Sequence, residues 1–238
     1  IDRGTGAPDA VVRGWLTRAL GASRGPQWVC DKCQLPHAHA APVVFVARLR
    51  LRSGVMSHND ERTILHHYAL SPFGEKIRAI LLGEGGAVPV DPRADALLFN
   101  ASRAQLVADV IEPALARGAV VIADRFADST LAYQGYGSGL PVEELRGMIR
   151  FATAGRTPDL TLLLDLSAER GLARKSGSNR TRFEEGFDAA FHERVATGFR
   201  SLAAAEPARW RVLDASAEQG ALAAEIAQIV HVALSAKR

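Results

Sequence analysis

The sequence predicts a three-layer α/β fold, a parallel sheet flanked by helices, and three observations predict it. Two short apolar runs, Val120–Ala123 and Leu160–Leu164, each lead into an aspartate and are set off by Gly118 and Pro158. Continuous runs of this length suit strands buried on both faces. Segments with apolar residues at helical spacing lie between and around them, so strands and helices alternate along the chain. With 47% hydrophobic and 23% charged residues among 238, the composition is that of one soluble globular domain with an appendage. Such a chain is long enough to bury a sizeable core.

The elements follow in order. Residues 1 to about 70 stand apart: they hold both cysteines and five of the seven histidines, and they lack sustained periodicity. Val11–Leu20 suits a short helix. Pro42–Leu51 suits one strand, because Val43–Val46 is β-branched and aromatic. From Ser71 the signals sharpen. Gly74–Leu82 carries Ile77, Ile80 and Leu81 at helical spacing, and a Gly- and Pro-containing loop follows to Asp91. Asp95–Ala116 reads as a helix with an apolar stripe through Ala104, Val107, Val110, Ile111, Ala114 and Leu115. Pro113 predicts a kink or a new turn in it, and Gly118 predicts its stop. After the strand Val120–Ala123 comes a helix through Thr130–Tyr133, then one over Pro141–Ala152. Ser167 is a suitable N-cap for a helix beginning at Ala168. Glu184–Ala205 is amphipathic, with Phe187, Phe191, Val195, Phe199 and Leu202 on one face. Trp210–Leu213 is the last strand and Gln219–Ala236 the closing helix.

Bulk properties narrow the function. The net charge of +3 suits an acidic substrate such as a phosphate and is too weak to argue for nucleic acid. No run of 18 apolar residues predicts a membrane span, so no membrane partner is expected. Two cysteines do not make a disulfide scaffold, which sets a reducing cytoplasm as the expected location. The opening Ile1-Asp2-Arg3 is neither an initiator methionine nor a signal peptide, and the expectation is a fragment or a trimmed chain.

The chemistry concentrates in Val120–Gly137, V-V-I-A-D-R-F-A-D-S-T-L-A-Y-Q-G-Y-G. Ligands of open α/β folds bind beyond the carboxyl ends of strands. A strand ending in Asp124–Arg125, followed by Ser129, Thr130, Tyr133 and Gln134, therefore points to an anion and nucleotide site; the alternative is a structural ion pair at a strand end. Asp124 suits Mg²⁺, a hard ion that seeks oxygen ligands. Arg125 is able to clamp a phosphate in a bidentate fork, and Tyr133 is able to wall off a sugar. Phe99 and Arg103 lie four apart on one helical face, a ring to stack on a base and a guanidinium for its edge, or else a core Phe beside a surface Arg. The basic stretch Arg170–Arg182, with Arg174, Lys175, Arg180 and Arg182, is either a mobile phosphate-closing loop or a solvated charged one. Cys30-Asp-Lys-Cys33 with His37 and His39 is chemically able to bind zinc, but its spacing is shorter than a finger's and no second pair follows. That leaves incidental residues as the alternative.

These residues resemble the thymidylate kinases, P-loop nucleoside monophosphate kinases that phosphorylate dTMP to dTDP with ATP and Mg²⁺. The resemblance runs from about Pro72 to Ala215. It is carried by A-L-L-F-N-A-S-R-A-Q at 96–105, D-R-F-A-D-S-T-L-A-Y-Q-G-Y-G at 124–137, P-D-L-T-L-L-L-D-L at 158–166 and R-F-E at 182–184. It implies a P-loop NTPase-like fold over residues 71–238 after an atypical segment, 1–70. It also implies roles: Phe99 stacks on thymine, Arg103 meets the base edge, and Asp124 acts in the Mg²⁺ and phosphate network. Arg125 then holds the dTMP phosphate, Ser129 and Thr130 position the nucleotide, and Tyr133, with Gln134 in the same pocket, packs under the deoxyribose and crowds a 2′-hydroxyl. Arg174, Lys175, Arg180 and Arg182 correspond to the lid over ATP, with Arg180 and Arg182 as catalytic candidates beside Asp124 and Arg125. The family further implies a homodimer. Phe126 replaces a commoner tyrosine.

The front of the chain departs from the family. No G-x-x-x-x-G-K-[ST] loop, whose amides cradle phosphates, occurs in the sequence. Ile1–Gly6 echoes the family's opening, but Ala7 and Pro8 follow it, and His67–Gly74 stands where R-E-P-G-G-T-P is expected. The expectation is that residues 1 to about 70 come from a shifted frame or a truncated gene; the alternative is a divergent arm that replaced the loop. The family's first strand lies in the sheet interior, so its loss is expected to expose edges and core. Three functions follow in order of preference: a dTMP kinase, a catalytically impaired nucleotide-binding relative that keeps the dTMP pocket, and a zinc-binding adaptor.

Overall fold

The computed structural model describes residues 44–48, 63–65, 72–82, 90–173 and 187–235. The helix expected over 11–20, the zinc candidates Cys30, Cys33, His37 and His39, and the lid residues Arg174, Lys175, Arg180 and Arg182 lie outside the described residues. Five strands form one sheet: β1 (Val44–Arg48), β2 (Thr63–Leu65), β3 (Val121–Asp124), β4 (Leu160–Asp165) and β5 (Trp210–Asp214), in the spatial order β2-β3-β1-β4-β5.

The sheet is mixed, which corrects the expectation of a parallel one. β2 runs parallel to β3 and β4 parallel to β5, but β1 is antiparallel to both of its neighbours. Phe45 stands opposite Asp124 on one side and Leu162 on the other. An apolar run encodes burial and not direction, so the sequence pattern carried no sign of the reversal. The interior position is filled, by the very segment read as a β-branched strand.

Helices cover both faces. Along β3, Val121 and Ala123 point into one core and Ile122 into the other, as the two-residue period of a strand requires. β4 divides likewise, with Leu163 in the first core and Leu160 and Leu162 in the second. The second core is closed by α8 (Gln219–Ser235), through Ile226 and Val230. The first, larger core is closed by α2 (Pro92–Leu106), α5 (Val142–Ala152) and α7 (Ala189–Ala205), and α1 (Pro72–Leu82) packs against α2. Phe191, Val195, Phe199 and Leu202 bury one stripe of α7, as their spacing predicts.

The long helix expected over 95–116 is three pieces. Asp91 caps α2, accepting from Arg93 N–H at 2.9 Å, with Pro92 at the first turn. A π-helical turn, Val107–Ile111, then precedes α3 (Glu112–Ala116), and the Glu112 N–H reaches back to Val107 O. Pro113 explains the break: it has no N–H to donate and its ring crowds the carbonyl four residues back, so a wider turn relieves both. Gly118 ends the helix with φ +85, a conformation that favours glycine. α6 (Ala168–Ala173) starts where expected, with Ser167 Oγ accepting from Arg170 N–H at 3.4 Å. The first described residue of the Glu184–Ala205 stripe is Phe187, and α7 begins at Ala189 because Asp188 caps it, accepting from Phe191 N–H at 2.7 Å.

Candidate active site

The site is built at the carboxyl end of β3. Three apolar or small residues, Val121, Ile122 and Ala123, bury the strand, and Asp124, still buried, is its last member. Arg125 follows with φ +64, in the left-handed region that a non-glycine residue enters at a cost of about 1–2 kcal/mol. That kink turns the chain into α4 (Ala127–Thr130), which passes without interruption into a second π-helical segment, Leu131–Gly137. The wide π turn is signed by Ser138 N–H bonding Tyr133 O at 2.9 Å, and such turns recur at functional sites.

Two side-chain links fasten α2 against this segment. Gln134 Nε2 donates to Asp95 Oδ2 at 2.9 Å, with both residues buried. Arg103, with 0% of its surface exposed, donates to Asn100 Oδ1 at 2.7 Å, Thr130 Oγ1 at 3.1 Å and Phe126 O at 3.2 Å. Its guanidinium also lies 5.7 Å from the Phe126 ring centre. Asp95, Phe99 and Arg103 are spaced by four and so share one face of α2. Phe99 is half-buried between the two links along that face.

The structure thus brings together on α2, β3 and the segment after it every described candidate: Phe99, Arg103, Asp124, Arg125, Ser129, Thr130, Tyr133 and Gln134. Arg103 serves here as a buried tie, where the sequence offered a surface arginine as the alternative. Arg125 is half-buried and stacks its guanidinium 5.3 Å from the Tyr133 ring centre, while Tyr133 meets Phe191 and Phe199 edge-on at 6.2 and 6.3 Å. Ser129 is 7% exposed, and its hydroxyl has no hydrogen-bond partner among the described residues. A buried hydroxyl without a partner is destabilising unless something from outside the protein, water or ligand, accepts its bond.

Sequence reading missed Asp95, Asn100, Asp128 and Arg209. Asp95 was within reach, since it continues the Phe99–Arg103 spacing by one more turn. Asn100 donates to Ala96 O and Met148 Sδ, and no local pattern marks it. Asp128 receives both ends of the Arg209 guanidinium, at 2.6 and 2.9 Å, across 81 residues of sequence. Burial would pull the Arg209 pKa down, but hydrogen bonds to Asp128 and Glu206 outweigh it and raise it above the ordinary value. On β4, Asp165 accepts two bonds from Arg200 Nε, at 3.0 and 3.1 Å, and that bond raises the arginine's pKa.

Mg²⁺ takes one or two carboxylates and completes its shell with water and substrate phosphates. Asp124, a carboxylate at the strand end beside Arg125, fits that donor set. Among the described residues no group of three or more His, Cys, Asp or Glu makes an all-protein cage.

A family model described as thymidylate kinase matches residues 57–226, a wider span than the motifs cover. The thymidylate kinase of Deinococcus radiodurans is 44% identical over 187 residues, covering 79% of this chain and 89% of its own. That of Solidesulfovibrio magneticus is 49% identical over 164 residues, covering 66% and 78%. That of Desulfovibrio desulfuricans is 51% identical over 157 residues, covering 61% and 70%.

Proposed function

We propose that this chain, which belongs to the thymidylate kinase family, transfers the γ-phosphoryl group of ATP to dTMP, giving dTDP and ADP. A phosphate oxygen of dTMP forms the new bond to the γ-phosphorus, and the bond from that phosphorus to the β–γ bridging oxygen breaks. The observation that carries the reading is the convergence at β3: Asp124 and Arg125 at the strand end, faced by Asp95, Phe99 and Arg103 of α2 and flanked by Tyr133 and Gln134. Phosphoryl transfer depends on positioning and charge neutralisation more than on covalent help from the protein.

In this reading Arg125 holds the acceptor phosphate and its Tyr133 stack keeps it extended. Ser129 and Thr130 orient the nucleotide, and the Ser129 hydroxyl gains the acceptor it lacks. Phe99 stacks on the thymine, Arg103 closes the base end, and Tyr133 crowds a 2′-hydroxyl, which favours a deoxyribose. Asp124 would hold Mg²⁺, and the ion supplies charge neutralisation between the phosphates. Arg174, Lys175, Arg180 and Arg182 are assigned to the ATP side. A homodimer in the cytoplasm completes the reading, supported by family membership; among the described residues no helix is long and apolar enough to cross a membrane.

The test is ADP release by the 238-residue chain with ATP, Mg²⁺ and dTMP, against omission of dTMP and against dCMP. Turnover that requires dTMP is expected. ADP release indifferent to dTMP, or none at all, overturns the proposal.

A further inference from the structure

The Arg209 side chain is 14% exposed and spends every N–H it has. Nη1 donates to Asp128 Oδ2 at 2.9 Å and Thr161 Oγ1 at 2.8 Å, Nη2 to Asp128 Oδ1 at 2.6 Å and Glu206 Oε1 at 3.3 Å, and Nε to Glu206 Oε2 at 2.7 Å. The guanidinium also lies 4.9 Å from the Trp210 ring centre. One residue therefore joins α4, β4 and the turn between α7 and β5. On α4 the only group it grips is Asp128, whose side chain is 5% exposed.

Arg125 lies three residues before Asp128, in a left-handed conformation that persists only where its surroundings overdetermine it. The kink lies before the helical run 127–137 and outside its hydrogen bonding, so it depends on what the first turn of that run is tied to. The residue before α4, Phe126, is tied through its carbonyl to Arg103, Asp128 is tied to Arg209, and the last residue of α4, Thr130, is tied to Arg103 again. We propose that the Asp128–Arg209 fork is a positioning pair for the acceptor-phosphate site: it fixes α4 so that Arg125 and Ser129 stand ready for a phosphate. This rests on the dTMP kinase reading of the same site. Arg209 touches no substrate in it and acts through α4.

Asp128 and Glu206 provide an internal contrast, since each accepts two bonds from Arg209 and only Asp128 lies on α4. In Asp128→Asn the guanidinium keeps Glu206 as its counter-charge, so the variant is expected to fold. Its KM for dTMP should rise about tenfold with the KM for ATP within about twofold of the parent, the signature of a lost interaction confined to one substrate. Glu206→Gln should lower the melting temperature comparably and leave the dTMP KM within about twofold, a split that a purely structural role does not produce. Folded Asp128→Asn with the parent's dTMP KM overturns the pair's positioning role. Should Asp128→Asn not fold, Arg209→Lys keeps a cation opposite Asp128 and removes the two-pronged fork, and an unchanged dTMP KM in folded Arg209→Lys overturns the proposal equally. A parent chain that neither turns over dTMP nor is stabilised by it overturns both this inference and the reading beneath it.

Discussion

Arg125 combines a left-handed backbone with a half-buried guanidinium, and the two are separable. Arg125→Gly keeps the kink, because glycine enters that region freely, and removes the charge. The variant should melt no lower than the parent, while kcat/KM for dTMP falls about 10- to 150-fold, the loss of one or more charge-assisted bonds of about 1.5–3 kcal/mol. A melt combined with steady-state kinetics checks both halves. Ser129 makes the opposite trade to an ordinary core residue. Ser129→Ala deletes a buried hydroxyl that has no partner among the described residues, so stability should hold or rise by up to about 1 kcal/mol while dTMP protection in thermal melts shrinks. Most of these residues were legible in advance because the chemistry is local: Asp-Arg at a strand end and Phe and Arg four apart need no knowledge of the fold. Arg209 was not legible. Its partner is 81 positions away, and nothing near it in sequence separates a fully committed guanidinium from a solvated one.

At the scale of elements, the site depends on how closely α7 approaches the π-helical segment 131–137. A Cβ on Gly198 would lie 2.7 Å from Tyr136 Cβ and Cγ, atoms too near the backbone to swing aside. Gly198→Ala gains helix propensity of about 1 kcal/mol, yet the overlap should win, with a net loss of about 1–3 kcal/mol. For a chain of this size that lowers Tm by roughly 2–12 °C. Since Tyr133 and Gln134 ride on the displaced segment, dTMP stabilisation should weaken as well, which differential scanning with and without dTMP measures. Glu206, at the far side of the Arg209 fork, adds a pH dependence. The hydrogen bond from Arg209 holds its carboxyl below the ordinary 4.5. A depressed carboxylate contributes stability that is present above about pH 4.5 and is lost as pH falls through the folded value. Glu206→Gln should therefore flatten the acid limb of Tm against pH and leave the neutral region parallel to the parent. The helices themselves were readable from their stripes, but their π segments were not. Pro113 announced a break near 113 without its form, and Leu131–Gly137, which packs against α7 and α2, holds no proline to announce one.

For the whole molecule, the decisive feature is the central strand. β1 hydrogen-bonds to both β3 and β4, so it joins the parallel halves β2–β3 and β4–β5 into one sheet. The apolar runs Val120–Ala123 and Leu160–Leu164 predicted a sheet covered on two faces, and the two cores bear that out. Strand direction has no such signature, because reversing a strand leaves its apolar pattern intact. Here the reversal sets which end of β1 meets the site: its amino end, at Phe45, stands beside Asp124, and its carboxyl end, Arg48, stands beside Val121 at the opposite edge. A phosphate cradle that follows a strand needs the strand's carboxyl end at the ligand crevice. In this arrangement the amino end of β1 runs beside Asp124, so β1 is not the lead-in to such a cradle there. Val46 pairs with Ala123 on one side and Thr161 on the other. Val46→Pro removes a backbone donor from the middle of the sheet, where proline is not tolerated, at a cost of about 3 kcal/mol or more. It should lower Tm by roughly 6 °C or more and abolish dTMP protection, because β3 then loses the neighbour that fixes Asp124. Val46→Thr keeps the ladder and should retain dTMP protection. If Val46→Pro melted with the parent and still gained stability from dTMP, β1 would not be the strand that holds the acceptor site in place.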